Sequence, residues 1–534
     1  MTARIGIDFG TANTVVARWD EARGCGVPIP LDGVDLTRDG ARGVAQRVIP
    51  SLLAYHHDGD RRWLGAQVTG RPGLLSDPDV TVFQATKSNV TGRAVDIPRT
   101  VGGRRISGRD AATRFLGDVT ALAVLAVGAD DLEIVATAPV ESFDTYRDWL
   151  VQEVGAGVGA ARLRVVDEAT AAAVGYRARM SVGDVFCVFD FGAGTLDISI
   201  VRVEEATGAG AGVRVVSKVG ADIGGNHIDA LLAEHAVAAA QLPTSDPVAY
   251  NRMFRALLAS AETAKIALTG ADRAVLDAVD PRGRTHRIPV TRAEFDHLLR
   301  EADILGRVNR ALRKALEGAA VRGYPSAELA GAFLVGGTSL IPAVQDLVRL
   351  HLDPGVLHLD RPLEAVATGA AGIAGGHELH DHIQHDYAIR HVDDRGGYEF
   401  EPLVPAGTPY PTAEPVKSIT IRAVHHGQIR LGIAVYELTH ATSRDAGADL
   451  EIVFDAHGGA RTAAVTAQAR QERATLWLNE DSPTFLVADP PAAVGTDRFR
   501  LDFRVDPQKR LTVSAFDIER RTWVLAEHPV VRLA

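Results

Sequence analysis

"GIDFGTANT", residues 6–14, runs an apolar strand straight into Asp8, Gly10, Thr11 and Asn13. The strand residues Ile5, Gly6 and Ile7 need no polar terminus for packing, so the carboxylate, the bare backbone and the hydroxyl require a reason. Gly and Asn are ordinary turn residues, and a plain hairpin is one reading. A phosphate site is the other, with backbone N–H groups and Thr11 facing an anion and Asp8 facing its metal. The nonapeptide alone leaves both open.

The arrangement returns at "FDFGAGTLD", residues 189–197, where Val185, Phe186, Val188 and Phe189 lead into Asp190, Gly192, Gly194, Thr195 and Asp197. Two such strand–turn–strand loops can face each other across a cleft and cradle a polyphosphate, while Asp8 and Asp190 hold the water shell of Mg²⁺. Glycine suits this role because only a bare backbone approaches phosphate closely and takes positive φ without cost. Three further segments extend the pattern. "VVDEATAAAVGY" (165–176) places Glu168 at the start of an Ala-rich helix, within reach of the same metal water. "FLVGGTSLIPAVQDL" (333–347) is a buried strand, a glycine pair and a helix start, suited to the edge of a nucleoside. "SAETAKIAL" (260–268) puts Glu262 and Lys265 on one helical face, where they could bracket a ribose or form an i,i+3 ion pair. Singly, each reads equally as a cap, a turn or a pair; their joint order favours a nucleotide site.

The bulk properties bound the rest. At 534 residues, two or more domains are expected, and 46% hydrophobic with 23% charged residues is globular. No apolar run is long enough to span a membrane, and the first residues lack a signal-peptide pattern. Two cysteines without metal spacing suit a reducing cytoplasm. A net charge of −11 argues against a general nucleic-acid binder. Of 57 basic residues only six are lysines, a bias that with the Ala, Gly and Val content suggests a GC-rich bacterial coding sequence. Strands are expected at 4–9, 14–19, 132–137, 185–190, 196–203 and 331–335. Helices are expected at 111–127, 142–154, 168–178, 252–269, 291–317, 340–351 and 364–374, an α/β pattern. Beyond residue 387 the period becomes two, as in Phe499, Leu501, Phe503 and Val505, and in Leu511, Val513 and Ala515; Ile419 and Ile421 alternate likewise. "GGHELHDHIQHD" (375–386) reads as a solvated connector rather than a metal site, despite His377 and His380.

On these segments, with "GADIGGNHID" (220–229), "PLEAVATGAA" (362–371), "EPLVPAGTPYPT" (401–412) and "KRLTVSAFDIE" (509–519), the chain resembles the heat shock protein 70 family within the actin-like ATPase superfamily. The resemblance implies an α/β actin-like (ribonuclease-H-like, duplicated) ATPase domain over 1–376. A polar linker at 377–386 and a smaller antiparallel β-sandwich at 387–534 would follow. It implies ATP or ADP with Mg²⁺ as cofactors. Asp8, Glu168 and Asp190 then surround the metal and the attacking water, and Lys87 in "FQATKSNVTG" and Thr195 act in hydrolysis. The remaining nucleotide contacts fall to Gly10, Thr11, Ala12, Asn13, Gly192, Ala193, Gly194, Gly224, Gly225, Glu262, Lys265, Ile266, Thr269, Gly336, Gly337, Thr338, Leu340 and Glu364. Pro139 and Arg147 resemble the residues that relay nucleotide state to the peptide domain. Arg164 resembles one near a co-chaperone surface.

Four departures stand out. Ile266 and Leu340 replace arginines that sandwich adenine in the family, removing ~0.5–2 kcal/mol of stacking and cation–π energy each. Ala169 replaces a proline. The apolar docking linker is replaced by the histidine-rich stretch, with Leu379 and Ile383 its only apolar groups. The chain ends at Ala534 just past the last strands, where a helical lid is expected. The function implied is a slow ATPase and chaperone that holds unfolded polypeptide or a specific client, with J-domain or exchange-factor partners conceivable and no membrane or nucleic acid involved. A nucleotide sensor with little turnover, a filament protein and a small-molecule kinase are the rivals.

Overall fold

The computed structural model describes residues 2–39, 44–75, 77–91, 96–129, 131–139, 144–156, 162–176, 181–204, 212–353, 355, 357–377, 379–380, 383, 386–392, 398–408, 410, 412–423, 425–438, 450–454, 460–464, 475–479, 484–506 and 510–533. The chain forms two compact units. One comprises Met1–His380 with Arg444–Val465, the other Asp381–Ser443 with Thr466–Ala534.

The first unit is built on two sheets of one design. Strands β1 (Thr2–Phe9), β2 (Asn13–Asp20), β3 (Cys25–Pro28), β4 (Leu36–Asp39), β5 (Ala45–Pro50), β6 (Asp131–Ala138) and β7 (Arg162–Asp167) make the first. Its order is β7-β6-β1-β2-β5-β4, with β3 on β2. The second contains β8 (Val185–Phe191), β9 (Leu196–Glu204), β10 (Gly212–Ala221), β11 (Gly331–Val335), β12 (Leu357–His358) and β13 (Leu379–His380), in the order β12-β11-β8-β9-β10-β13. In each sheet a central strand pairs antiparallel with the next strand and parallel with a later one: β1 with β2 and β6, β8 with β9 and β11. The recurrence seen in the sequence is thus a duplicated strand topology.

Helices α1 (Thr86–Val90), α2 (Gly108–Val127), α3 (Asp144–Ala156), α4 (Glu168–Gly175), α5 (Gly225–Ala239), α6 (Pro247–Gly270), α7 (Ile304–Val321) and α8 (Ala365–Ala374) cover the sheets. A Ser107–Asp110 capping box starts α2. Helices α4 and α8 are Ala-rich because they cross backbone to backbone. A Cβ on Gly369 would lie 1.7 Å from Ala171 O, and one on Gly175 2.3 Å from Ala365 O. Any side chain there would drive the crossing apart.

The expected helix 291–317 is two helices, Arg292–Glu301 and α7, because Asp303 takes a left-handed conformation at φ +55°. Helix α5 and strand β10 were not anticipated. The histidine-rich connector carries a strand. Leu379 and His380 pair in parallel with Val213 and Arg214 of β10, and the His377 ring meets Trp19 edge-on at 5.1 Å. Residues 378, 381, 382, 384 and 385 of that stretch lie outside the described residues. Among the described residues no helix is long and apolar enough to cross a membrane.

The second unit is antiparallel β. Strands β14 (Asp386–Val392), β15 (Tyr398–Val404), β16 (Lys417–Arg422), β17 (Gln428–Ile433) and β18 (Val435–Leu438) precede a crossing into the first unit. There β19 (Leu450–Phe454) and β20 (Ala460–Ala464) form a hairpin packed against α5 and α6, with Thr462 hydrogen-bonded to Glu234. The chain returns through β21 (Thr475–Trp477), β22 (Thr484–Ala492), β23 (Asp497–Val505), β24 (Arg510–Asp517) and β25 (Thr522–Arg532). Two four-stranded sheets, β15-β14-β18-β21 and β16-β23-β24-β25, share one core with the β17-β22 ladder. The alternating Phe499, Leu501, Phe503, Val505, Leu511, Val513 and Ala515 fill it, and Ile383 is buried there too. Arg498 is also buried, its charge answered by Asp517 at 2.8 Å and by Glu519.

Candidate active site

Asp8 ends β1 and accepts a hydrogen bond from Thr137 Oγ1 of the parallel neighbour β6 at 3.1 Å. Asp190 ends β8, directly opposite Asp197 of β9. Glu168 opens α4, where its carboxylate favours the positive helix terminus, and it takes the ammonium of Lys87 from α1 in a buried ion pair. These groups, carried by four separate elements, feel one another. Burial first, and then Glu168, push the pKa of Asp8 up from 3.8 to about 7, against the pull of Lys87 and Thr137. Burial, Glu168, Asp8 and Asp197 hold Asp190 well above the usual carboxylate range. Burial alone would lower Lys87, yet Glu168, with Tyr146 and Asp8, holds its ammonium above the ordinary value, so it stays charged.

The cluster therefore carries more carboxylate than cation, and a bound divalent ion would return Asp8 and Asp190 to their ionised forms. Among the described residues no three His, Cys, Asp or Glu side chains are grouped to clamp an ion directly. The set suits a cation held through its waters, as Mg²⁺ commonly is.

The two loops meet above this floor. A Cβ on Gly194 would sit 2.6 Å from Thr11 Oγ1, so only glycine lets them approach. The first loop is tied down by Ser51, whose hydroxyl donates to Gly10 O at 2.7 Å and whose N–H donates to Ala12 O at 2.8 Å. Asn13 Oδ1 is buried without a hydrogen-bond partner. The second loop closes on itself through Gly192 N to Thr195 O at 3.0 Å. Gly225 N, Asn226 N and Thr338 Oγ1 then donate to its Gly192 and Ala193 carbonyls at 3.0, 2.8 and 2.8 Å. Gly224 is equally constrained, since a Cβ there would lie 2.3 Å from Ala193 O.

Other expected contacts are placed more variously. Lys265 is buried and pairs with Asp229 of α5 at 2.8 Å and with Gly225 O at 3.2 Å. Burial, opposed by Lys265, lifts the Asp229 pKa to about 7. Glu262 is half-buried one turn away, Ile266 is exposed, and Thr269 donates its hydroxyl to Ile266 O. Gly336, at φ +76°, passes against Phe191 O and Asp190; Gly337 is exposed and Leu340 half-buried. Glu364 is buried at the start of α8 and accepts the Arg47 N–H at 2.8 Å, a bond to β5 rather than to either loop. Arg147 reaches Asp167, the residue before Glu168, at 2.9 Å. Arg164 bonds Ile373 O and Glu133.

Sequence reasoning missed Thr137, Tyr146, Asp167 and Lys218. The Tyr146 hydroxyl is buried without a hydrogen-bond partner. Burial raises its pKa, with Lys87 opposing and the Glu168 and Asp8 charges adding to the rise. Lys218 was the findable one, being among the six lysines of the chain.

The family model described as "Hsp70 protein" matches residues 97–446. A chaperone protein HscA homolog from Bordetella pertussis (strain Tohama I / ATCC BAA-589 / NCTC 13251) is 28% identical over 546 aligned residues, covering 96% of this chain and 75% of that protein. The family match begins after the first loop and Lys87, so those positions rest on the geometry above. The later segments of the first unit, from Glu168 to Glu364, and part of the β region lie inside the match. With most of its length matched, and with the duplicated α/β unit followed by antiparallel sheets, the chain belongs to the Hsp70 family of ATP-dependent chaperones.

Proposed function

We propose that the cleft between residues 10–13 and 192–195 binds Mg·ATP and hydrolyses it slowly, and that the second unit holds extended polypeptide with weak coupling to the nucleotide. The observation that carries the reading is the buried Lys87–Glu168 pair among Asp8 and Asp190, under two loops that touch only because Gly194 is glycine. Asp8, Glu168 and Asp190 would hold Mg²⁺ through its waters; the ion would supply charge neutralisation at the phosphates. Thr11 and Thr195 then offer hydroxyls to the terminal phosphate. Lys87, charged throughout, offsets negative charge on that phosphate and orients the water that attacks it. Phosphoryl transfer asks mainly for such positioning and charge.

Slow turnover fits the ground state. Lys87 is already engaged by Glu168, so its charge must be shared between carboxylate and phosphate. The same observation favours the second reading, a nucleotide sensor that hardly turns over, and single-turnover hydrolysis separates the two. Weak coupling fits the connector, where Leu379 and His380 join the sheet in a two-residue strand pairing with β10. Hydrogen bonds of ~0.5–1.5 kcal/mol each bound what so short a strand can transmit. ATP should thus change peptide affinity by less than about tenfold, ~1.4 kcal/mol. Client polypeptides and co-chaperones of the J-domain or exchange-factor type are proposed partners, in a bacterial cytoplasm.

The test is calorimetry and thermal unfolding with Mg·ATP and Mg·ADP. Binding should raise the unfolding temperature, and Asp190→Asn should abolish the shift. No binding at millimolar nucleotide would end the ATPase reading. Anisotropy of a labelled unfolded peptide, titrated with ATP, with ADP and without nucleotide, tests the coupling.

A further inference from the structure

Asp167 is the most completely enclosed carboxylate near the site, its side chain 0% exposed. Both its oxygens are occupied by cations. Arg147 of α3 donates to Oδ1 at 2.9 Å, and the Lys218 ammonium takes Oδ2. The two cations come from different places. Arg147 belongs to a helix packed on β7 of the first sheet, whereas Lys218 sits on β10 of the second. Asp167 itself is the last residue of β7 and the residue from which α4 starts. The ion pair Lys218–Asp167 therefore joins the two sheets at the floor of the cleft.

The next residue along the chain is Glu168, whose Cα lies ~3.8 Å from that of Asp167. Glu168 holds Lys87 and faces Asp8 and Asp190. A carboxylate with both oxygens charge-paired in a dry interior cannot swing without leaving a buried charge unpaired. Fixing Asp167 thus fixes the origin of α4, and with it the carboxylate that sets where Lys87 points. Strand β10 bears a second load. Its Val213 and Arg214, a few residues before Lys218, pair with the connector strand β13. A rotation of one sheet against the other, or a pull on β10, is delivered to Asp167 through Lys218.

We infer that Lys218 is a positioning residue for the proposed hydrolysis, an inter-sheet clamp that acts through Asp167 on Glu168 and Lys87. The inference rests on the nucleotide reading above. The carboxylate that Lys218 engages is Asp167, outside both loops, so its loss should spare ground-state binding. Misplacement by ~1 Å at a reacting centre costs up to ~10²-fold.

The experiment uses the full chain and three variants, Lys218→Met, Lys218→Arg and Lys218→Gln. Three quantities are read: Mg·ADP affinity, single-turnover ATP hydrolysis, and affinity for Mg·ADP with aluminium fluoride, which imitates the transferring phosphoryl group even where turnover is too slow to follow. Lys218→Met should keep ADP affinity within about threefold, and lose about tenfold or more in both hydrolysis and aluminium fluoride affinity. Lys218→Arg should restore most of both. Should Lys218→Met fail to fold, Lys218→Gln, which removes the charge but keeps a hydrogen-bond donor while Arg147 still pairs with Asp167, should fold and show the same split. Wild-type hydrolysis and aluminium fluoride affinity in the folded variants would overturn the clamp. An equal loss of ADP and aluminium fluoride affinity would also overturn it, by showing a merely structural pair. A wild-type chain that binds no ADP would fail the nucleotide reading itself, and the clamp with it.

Discussion

The two strand–turn–strand loops share a sequence plan and differ in how they are held. The first, residues 10–13, hangs on one side chain, Ser51, which secures Gly10 by hydroxyl and Ala12 by backbone. The second, residues 192–195, is braced by the start of α5 and by Thr338 as well as by its own turn. Beneath them the asymmetry reverses. The first sheet supplies Asp8 and, through the end of β7, Glu168, with Lys87 coming from α1; the second sheet contributes Asp190 and Asp197. One side is chemically rich and lightly held, the other firmly held and chemically spare. On the proposed reading, this difference would concentrate hydrolysis on the first side and leave the grip on the nucleotide to the second.

The largest expected effect tests the rich side. Lys87→Ala should lose ~10²–10³ in single-turnover hydrolysis, the usual cost of removing one charge-offsetting donor, while nucleotide affinity changes only a few-fold. A variant that hydrolyses like the parent would move catalysis elsewhere. The meeting point of the two sides comes next. Gly194→Val places a side chain where Thr11 Oγ1 stands, only 2.6 Å from the Cβ position. The loops must separate, so the nucleotide-dependent rise in unfolding temperature should vanish while the apo protein stays folded. A preserved rise would mean the loops are not the phosphate site.

A pH experiment distinguishes the two sides without altering their shape. Asp8 in the cleft and Asp229 beneath Lys265 are both lifted from 3.8 to about 7, chiefly by burial. Between those values the folded chain holds protons that the unfolded chain has released, so their contribution to stability is full below about 3.8 and is lost as pH rises through 7. The apo unfolding temperature should fall between pH 5 and 8 on their account. Asp8→Asn should flatten part of that slope. Saturating Mg·ADP should flatten that part together with the Asp190 part, because a cation beside both carboxylates favours their ionised forms, and should leave the Asp229 part in place. If Mg·ADP flattened the slope of Asp8→Asn as much as that of the parent, Asp8 would not be facing the bound ion.

Much of this site was readable because its chemistry sits at strand ends. Asp8 and Asp190 follow apolar runs and precede glycines, a local signal, and Lys87 stood out by the rarity of lysine. Lys218 shared the rarity of lysine, but Asp167 gave no such signal and nothing local pairs the two. They are 51 residues apart, on different sheets, and the pairing exists only in the fold. The same limit explains α5, whose start at Gly224 and Gly225 read as loop, and the single helix expected at 291–317, which breaks where Asp303 turns left-handed. In the β region, period two marked Phe499 to Val505 correctly as core. Periodicity could not show that β19 and β20 pack on α5 and α6 of the first unit, because it reports which face is buried and not what buries it. The strand inside the polar connector was hidden for a related reason. Strand pairing at Leu379 and His380 uses backbone groups, which side-chain polarity does not report.

The smallest expected effect bears most directly on the contrast between the loops. Ser51→Ala removes the hydroxyl bonded to Gly10 O and to Thr14 Oγ1 at 3.0 Å, in a position only 3% exposed. Two buried polar groups lose that partner together, at a cost of ~1–3 kcal/mol. Thr338→Val removes one bond to Gly192 O, but Gly225 N still donates to that oxygen and Asn226 N to the next carbonyl. Its cost should stay near ~0.5–1 kcal/mol. Measured as Mg·ADP affinity, Ser51→Ala should weaken binding several-fold and Thr338→Val about twofold or less, with apo unfolding temperatures recorded to separate loop placement from global stability. If Thr338→Val proved the more damaging, the braces on the second loop would be cooperative rather than redundant, and the grip would depend on the whole junction of α5, Gly336 and the turn that follows it.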